Sequence, residues 1–279
     1  MEVWAVTLDA TAVNDLNELY NRALSVLDYE SSSQVQKYYH RIDSVRGLIG
    51  RLLPRLLLKG KGIPVMAMTF AKTQAGKPYI TTPITPHIGY NITHDNGIVA
   101  MAFSIGSDLY SDPPAYRIGI DVMLLQLPKR DTFQGFVEIF NEQLTDLERN
   151  ILIPLAPAPP LSQHEQLRRF YLIWTLKEAY TKALGLGMGF DFSRIEYDVP
   201  NDLVRVDGVE PRGWEFTRFA LHNELKAGDV EDYVGVVARF VGDSAAECEK
   251  VRIAPSAPAW FKVYGAAQFL SKAIAELAP

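Results

Sequence analysis

Residues 163–184 read QHEQLRRFYLIWTLKEAYTKAL, with Gly185, Gly187 and Gly189 following. This run predicts a long helix stopped by the glycines, which accept the left-handed conformation of a helix end. Along it Trp174, Glu178 and Lys182 stand at i, i+4 and i+8 and share a face. Phe170, Ile173, Trp174 and Leu184 make the segment heavily apolar, so it is expected to be buried. Buried Glu and Lys are unfavourable unless they serve each other, a metal or a substrate. A surface Glu178–Lys182 ion pair, worth only a few tenths of a kcal/mol, is the other reading of the spacing.

Around this helix the second half of the chain reads as a strand at 116–124, helices at 133–140 and 142–152, and a Pro/Ala loop at 154–160. Strands follow at 195–199, 214–222 and 232–240, with a closing helix at 266–277. The first half has a similar order. It shows a strand at 3–8, a helix at 16–27, and a longer helix at 34–58 capped by Ser31, Ser32 and Ser33, which Pro54 should kink or end. Strands at 64–71, 89–92 and 98–103 complete it, with a turn at 74–78 and an Asn96-Gly97 turn between the last two. Residues 111–114 read as a linker. The expected organisation is two similar α/β lobes, 1–112 and 113–279, with the active site at their interface.

Composition narrows the function. Asp plus Glu (33) exceeds Lys plus Arg (28), which argues against a general nucleic-acid binder. The lone Cys248 cannot form an internal disulfide, and no Cys/His cluster has zinc spacing, so a reducing, cytoplasmic setting is expected. No apolar run approaches membrane-spanning length, and the start of the chain does not read as a signal peptide.

Two further regions carry chemistry. In Gly119-Ile120-Asp121, strand alternation turns Ile118 and Ile120 to one side and Asp121 and Met123 to the other. Asp121 there suits a metal ligand or base; taken alone, an isolated aspartate more often caps a turn or pairs with an arginine. In the first half, Arg41, Arg46, Arg51, Arg55, Lys72 and Lys77 supply cations, and Asn91 and His94 add polar groups, as phosphate recognition requires. A solvated helix face explains each basic residue alone, and a hydrogen-bonded structural role explains His94. Neither GxxxxGK[ST] nor a GxGxxG following a strand is present.

Gly119-Ile120-Asp121 followed by Trp174-x-x-Lys177-Glu178-Ala179-x-x-Lys182 resembles the double signature of the 4'-phosphopantetheinyl transferases. Tyr39-His40-Arg41-x-Asp43 leading to Gly50-Arg51-Leu52-Leu53-x-Arg55, then Gly76-Lys77-Pro78-Tyr79 and Asn91-Ile92-Thr93-His94, are similar to further segments of that family, in family order. Two halves in one chain resemble its monomeric, surfactin-type class in fungal or animal form.

The resemblance implies an α/β (α+β) fold of two pseudo-symmetric lobes, each a small, mainly antiparallel sheet packed with helices. It implies transfer of phosphopantetheine from coenzyme A to a serine of an acyl or peptidyl carrier protein, releasing 3',5'-ADP. Asp121 and Glu178 would hold Mg²⁺ (Mn²⁺ as a substitute), Glu178 would act as base, and Lys182 would stabilise phosphate charge. Arg41, Lys72, Gly76, Lys77, Pro78, Asn91, Thr93, His94, Lys177 and Lys182 would bind coenzyme A. Many members carry a second acid where this chain has Met123, a poor Mg²⁺ ligand, so two protein carboxylates are expected on the metal. Residues 123–140, with Lys129 and Arg130 beside leucines and phenylalanines, form the expected carrier-docking surface; burial of the leucines in the core is the alternative. A non-catalytic coenzyme A or nucleotide-binding module and a metal-dependent phosphohydrolase are the competing functions.

Overall fold

A computed structural model of the protein describes residues 1–106, 114–128, 132–154, 160–186, 189–242, 251–255 and 258–278. In chain order the first lobe contains β1 (Glu2–Thr7), α1 (Asn17–Leu24), α2 (Tyr29–Gln36), α3 (Arg41–Gly60), β2 (Phe70–Lys72), β3 (Pro78–Ile80), β4 (Ile88–Asp95) and β5 (Ile98–Ile105). The second contains β6 (Ile118–Leu124), α4 (Phe133–Ile139), α5 (Asp146–Leu152), α6 (Gln163–Leu184), β7 (Ile195–Asp198), β8 (Leu203–Val206), β9 (Trp214–Glu224), β10 (Val230–Phe240) and β11 (Arg252–Ile253). The chain then returns as β12 (Phe261–Gly265) and α7 (Ala266–Leu277).

Two four-stranded sheets, β12-β1-β5-β4 and β11-β9-β10-β6, organise the fold. In each lobe a first strand, then helices, then a hairpin follow one another, and the hairpin's second strand pairs antiparallel with the first: β5 on β1, β10 on β6. This is the duplication expected from the sequence. The strand added at one edge differs, since β12 lies parallel to β1 and β11 parallel to β9.

The sheets pack against each other through their inner faces. Small residues of the first sheet (Ala5, Ala100, Ala102) meet Ile118, Ile120, Phe219 and Tyr233 of the second. Helices α1, α3 and α7 cover the outer face of the first sheet, and α4, α5 and α6 that of the second. At one end of the seam Asn223 Nδ2 donates to Leu8 O (3.1 Å), and the Gly97 N–H donates to the Tyr233 hydroxyl (2.9 Å).

Three expectations are corrected. The helix expected at 34–58 is two helices, α2 and α3, broken between Gln36 and Arg41. Pro54 lies inside α3 without ending it. Burial of Leu52, Leu53, Leu56, Leu57 and Leu58, each worth about 1.5–3 kcal/mol, outweighs the ~3 kcal/mol that an interior proline costs. The strand expected at 64–71 shrinks to β2, preceded by a 3₁₀ turn at Val65–Ala67. The span 113–279 is not one lobe, because β12 and α7 complete the first sheet and its core. The expected linker at 111–113, most of the loop at 154–160, Gly187, Cys248, Lys129 and Arg130 lie outside the described residues. No helix among the described residues is long and apolar enough to cross a membrane.

Candidate active site

The site begins with a glycine. A Cβ on Gly119 would stand 2.0 Å from Ala179 O and 2.5 Å from Ala183 N, so only glycine lets α6 lie directly on β6. That close approach brings Glu178 and Lys182, which flank Ala179 along the helix, to Asp121 two residues beyond Gly119. Strand alternation does the rest. Ile118, Ile120, Val122 and Leu124 fill the core between the sheets, while Asp121 turns towards α6.

Asp121 is buried, and its two oxygens have different surroundings. Oδ1 receives Lys182 Nζ at 2.6 Å and the Thr93 hydroxyl at 2.9 Å; Oδ2 is buried without a hydrogen-bond partner among the described residues. Lys182 also approaches Thr93 Oγ1 (3.3 Å) and Ile120 O (3.4 Å). Burial pushes the Asp121 carboxyl above its ordinary range, against the pull of Lys182 and Thr93, and Asp95 adds repulsion. Glu178 is half-buried and likewise pushed up, by desolvation first and by the Asp121 charge, with Lys182 opposing. The two carboxylates therefore share more negative charge than the protein neutralises.

This arrangement fits a divalent cation. Two hard carboxylates, one of them with an orphaned buried oxygen, make an oxygen-donor set of the kind Mg²⁺ prefers, with water and substrate oxygens completing the shell. No group of three or more His, Cys, Asp or Glu among the described residues could hold a metal. Met123 stands half-buried against the core of the second lobe.

Family models bear directly on this geometry. One described as the 4'-phosphopantetheinyl transferase superfamily matches residues 117–234, and one described as 4'-phosphopantetheinyl transferase, N-terminal, matches residues 14–105. A 4'-phosphopantetheinyl transferase (pptA) of Paxillus involutus is 46% identical, covering 99% of this chain and 100% of the relative. The chain belongs to the 4'-phosphopantetheinyl transferase family. More distant similarity extends to a phosphopantetheinyl transferase of Thraustochytrium sp. (26% identity, 80% of this chain, 76% of the relative). It extends also to an L-aminoadipate-semialdehyde dehydrogenase-phosphopantetheinyl transferase of Xenopus laevis (25%, 77% and 72%). The protein is thus an enzyme of the phosphopantetheinyl transferase class, and Asp121, Glu178 and Lys182 fall in the first matched segment, Arg41, Lys77, Thr93 and His94 in the second.

The other expected site residues of this transferase divide into two groups. Thr93 meets Asp121 directly. His94 is exposed on the opposite face of β4, and its imidazole pKa is lowered by desolvation first and then by the charges of Arg46 and Lys182. Lys72 is exposed on β2, and Gly76 forms the positive-φ turn before Lys77 and Pro78. Arg41 opens α3, donates to Asn17 Oδ1 at 2.6 Å and lies 3.5 Å over the Tyr20 ring. Arg46, Arg51 and Arg55 are held by protein acceptors: Asp43 and Asn96 O, Gly47 O and Gln34, and Asp28 respectively.

Three expected ligand-binding side chains are placed elsewhere. Lys177 is 1% exposed and spends its ammonium on Glu148 (2.6 Å), Gln143 O (2.6 Å) and Phe192 O (3.0 Å). It points to the opposite side of α6 from Glu178 and Lys182, so it fastens the helix rather than meeting substrate. Lys77 is buried and donates to Tyr116 O (2.8 Å) and Ala183 O (2.6 Å), tying the first lobe to the segment just before β6 and to the C-terminal end of α6. Asn91 is buried and accepts the Ile120 N–H. The sequence reading missed Asp95, which accepts the Leu124 N–H at 2.8 Å. The period-two polar series Asn91-x-Thr93-x-Asp95 was the available signal.

Proposed function

We propose that the protein transfers the 4'-phosphopantetheine of coenzyme A to a serine hydroxyl of an acyl or peptidyl carrier protein, with Mg²⁺, releasing 3',5'-ADP. The observation that carries this reading is the under-neutralised pair Asp121 and Glu178 beside Lys182, at the meeting of the two lobes. When bound between these carboxylates, Mg²⁺ supplies the charge neutralisation and orientation that a pyrophosphate needs for in-line displacement.

The chain's own residues then have defined tasks. Glu178, whose carboxyl is shifted towards neutrality, accepts the serine proton as the serine Oγ bonds to the β-phosphorus. The bond from that phosphorus to the bridging oxygen breaks, and 3',5'-ADP carries away the electron pair. Lys182 faces the charge that grows on the phosphate oxygens, and Thr93 holds Asp121 in place. Desolvation, then the charges of Arg46 and Lys182, lower the His94 pKa and favour the neutral ring, which can donate one N–H to a phosphate oxygen. Arg41 and Lys72 bind the 3'-phosphate end, and the Gly76 turn offers backbone to the adenine.

The carrier enters beside Met123, where Met123, Leu127, Pro128 and Tyr171 bound a cavity of about 190 Å³. Phe133 and Phe136 belong to the core, so the apolar docking residues reduce to Met123, Leu125, Leu127 and the 67% exposed Ile139. Because one chain supplies both lobes, a monomer suffices. The relatives named for L-aminoadipate-semialdehyde dehydrogenase favour a lysine-pathway carrier domain among the substrates. The test is to incubate the protein with coenzyme A, Mg²⁺ and apo-carriers and weigh the products. A carrier gaining one phosphopantetheinyl group supports the reading. Release of 3',5'-ADP without any carrier gain would indicate a phosphohydrolase instead.

A further inference from the structure

β6 is an edge of the second sheet, so among the described residues no strand neighbours its outward N–H groups. Buried backbone donors of this kind must find acceptors. Two of them find side chains of β4, the facing edge of the first sheet. Asn91 Oδ1 takes the Ile120 N–H at 3.0 Å and Asp95 Oδ2 takes the Leu124 N–H at 2.8 Å. Between them Thr93 donates to Asp121 Oδ1. Asn91, Thr93 and Asp95 alternate along β4 and so project from one face. The step from 91 to 95 matches the step from 120 to 124, so the two edges run parallel and in register, one side chain apart.

We propose that Asn91 and Asp95 are positioning residues: their side-chain acceptors replace the missing neighbour of β6 and lock the lobes in the register that sets Thr93 against Asp121 and Lys182. Asp95 does this as an amide acceptor rather than as a third charge on the metal, because both its oxygens are engaged, Oδ2 by Leu124 and Oδ1 by Asn96 Nδ2 at 3.2 Å. The inference rests on the transfer reading above.

Asp95→Asn keeps an oxygen for the Leu124 N–H and removes the charge; Asp95→Ala and Asn91→Ala remove an acceptor. Each full-length variant is assayed with coenzyme A, Mg²⁺ and apo-carrier at a temperature where circular dichroism shows it folded. Asp95→Asn is expected to keep kcat within about threefold of wild type, whereas the alanine variants lose about tenfold or more. If the alanine variants melt lower but keep wild-type kcat when folded, the residues only stabilise and the inference is overturned. It is overturned equally if Asp95→Asn loses as much as Asp95→Ala, since the charge is then what matters. Either result, with wild type active, leaves the transfer reading standing; a wild type that transfers nothing removes both.

Discussion

Lys182 Nζ lies 2.6 Å from Asp121 Oδ1, while Asp121 Oδ2, also buried, meets no donor among the described residues. One oxygen of this carboxylate is committed within the protein and the other is left for a ligand. Glu178, on the same helix as Lys182, has its ionised form disfavoured by burial and by Asp121. A cation placed against Oδ2 and Glu178 relieves both conditions, and this gives the account its specific consequences.

Glu178→Gln removes the base and a metal ligand together, so transfer should fall about 100- to 10,000-fold. The folded protein should not melt lower for it. An acid whose folded pKa is raised makes a negative contribution to stability above that pKa, and a neutral amide lacks that contribution. Without metal, thermal melts at pH 7 to 8 should place Glu178→Gln at or above wild type.

The pH profile follows from the same shifts. Asp121 and Glu178 must be ionised to work, and both are raised above their ordinary values. Activity should therefore fall on the acid side at a pH above the ordinary carboxylate range of about 4. Protons and metal compete for these oxygens, so raising Mg²⁺ should move that limb to lower pH. Profiles of kcat/KM at two Mg²⁺ concentrations check this.

Gly119→Ala drives a methyl group into the backbone of α6, where no rotamer change can accommodate it. A loss of stability of about 1–3 kcal/mol, or more, is expected, with activity falling further as Glu178 and Lys182 retreat from Asp121. Urea unfolding and the transfer assay measure the two effects separately.

Lys177→Met leaves Glu148, which is 0% exposed, without its cation. Breaking such a pair from one side typically costs about 3–5 kcal/mol, and Lys177→Met combined with Glu148→Leu should recover part of it. Unfolding curves for the single and double variants test the pair. The KM for coenzyme A of the folded Lys177→Met enzyme should match wild type, because Lys177 faces away from the site.

The legible parts of this protein are those whose signal is local. The bounds of α6 and α7 follow from helical periodicity and the glycines after Leu184, and the alternation in Gly119-Ile120-Asp121 correctly turns the carboxylate away from the core. The pairing of β12 with β1 links opposite ends of the chain, and no local period encodes it. Lys177 is expected at coenzyme A, and no local period encodes its actual partner, Glu148, on a different helix. Asn91 and Lys77 read as phosphate donors because their residue types suit that task. Their actual partners, backbone groups of Ile120, Tyr116 and Ala183, carry no side-chain signature.

The most direct test is a calorimetric titration of Mg²⁺ or Mn²⁺ into the protein in the presence of coenzyme A, for wild type, Asp121→Asn and Glu178→Gln. The account predicts one divalent ion per chain for wild type and at least tenfold weaker binding in each variant. Undiminished binding in both variants would contradict it.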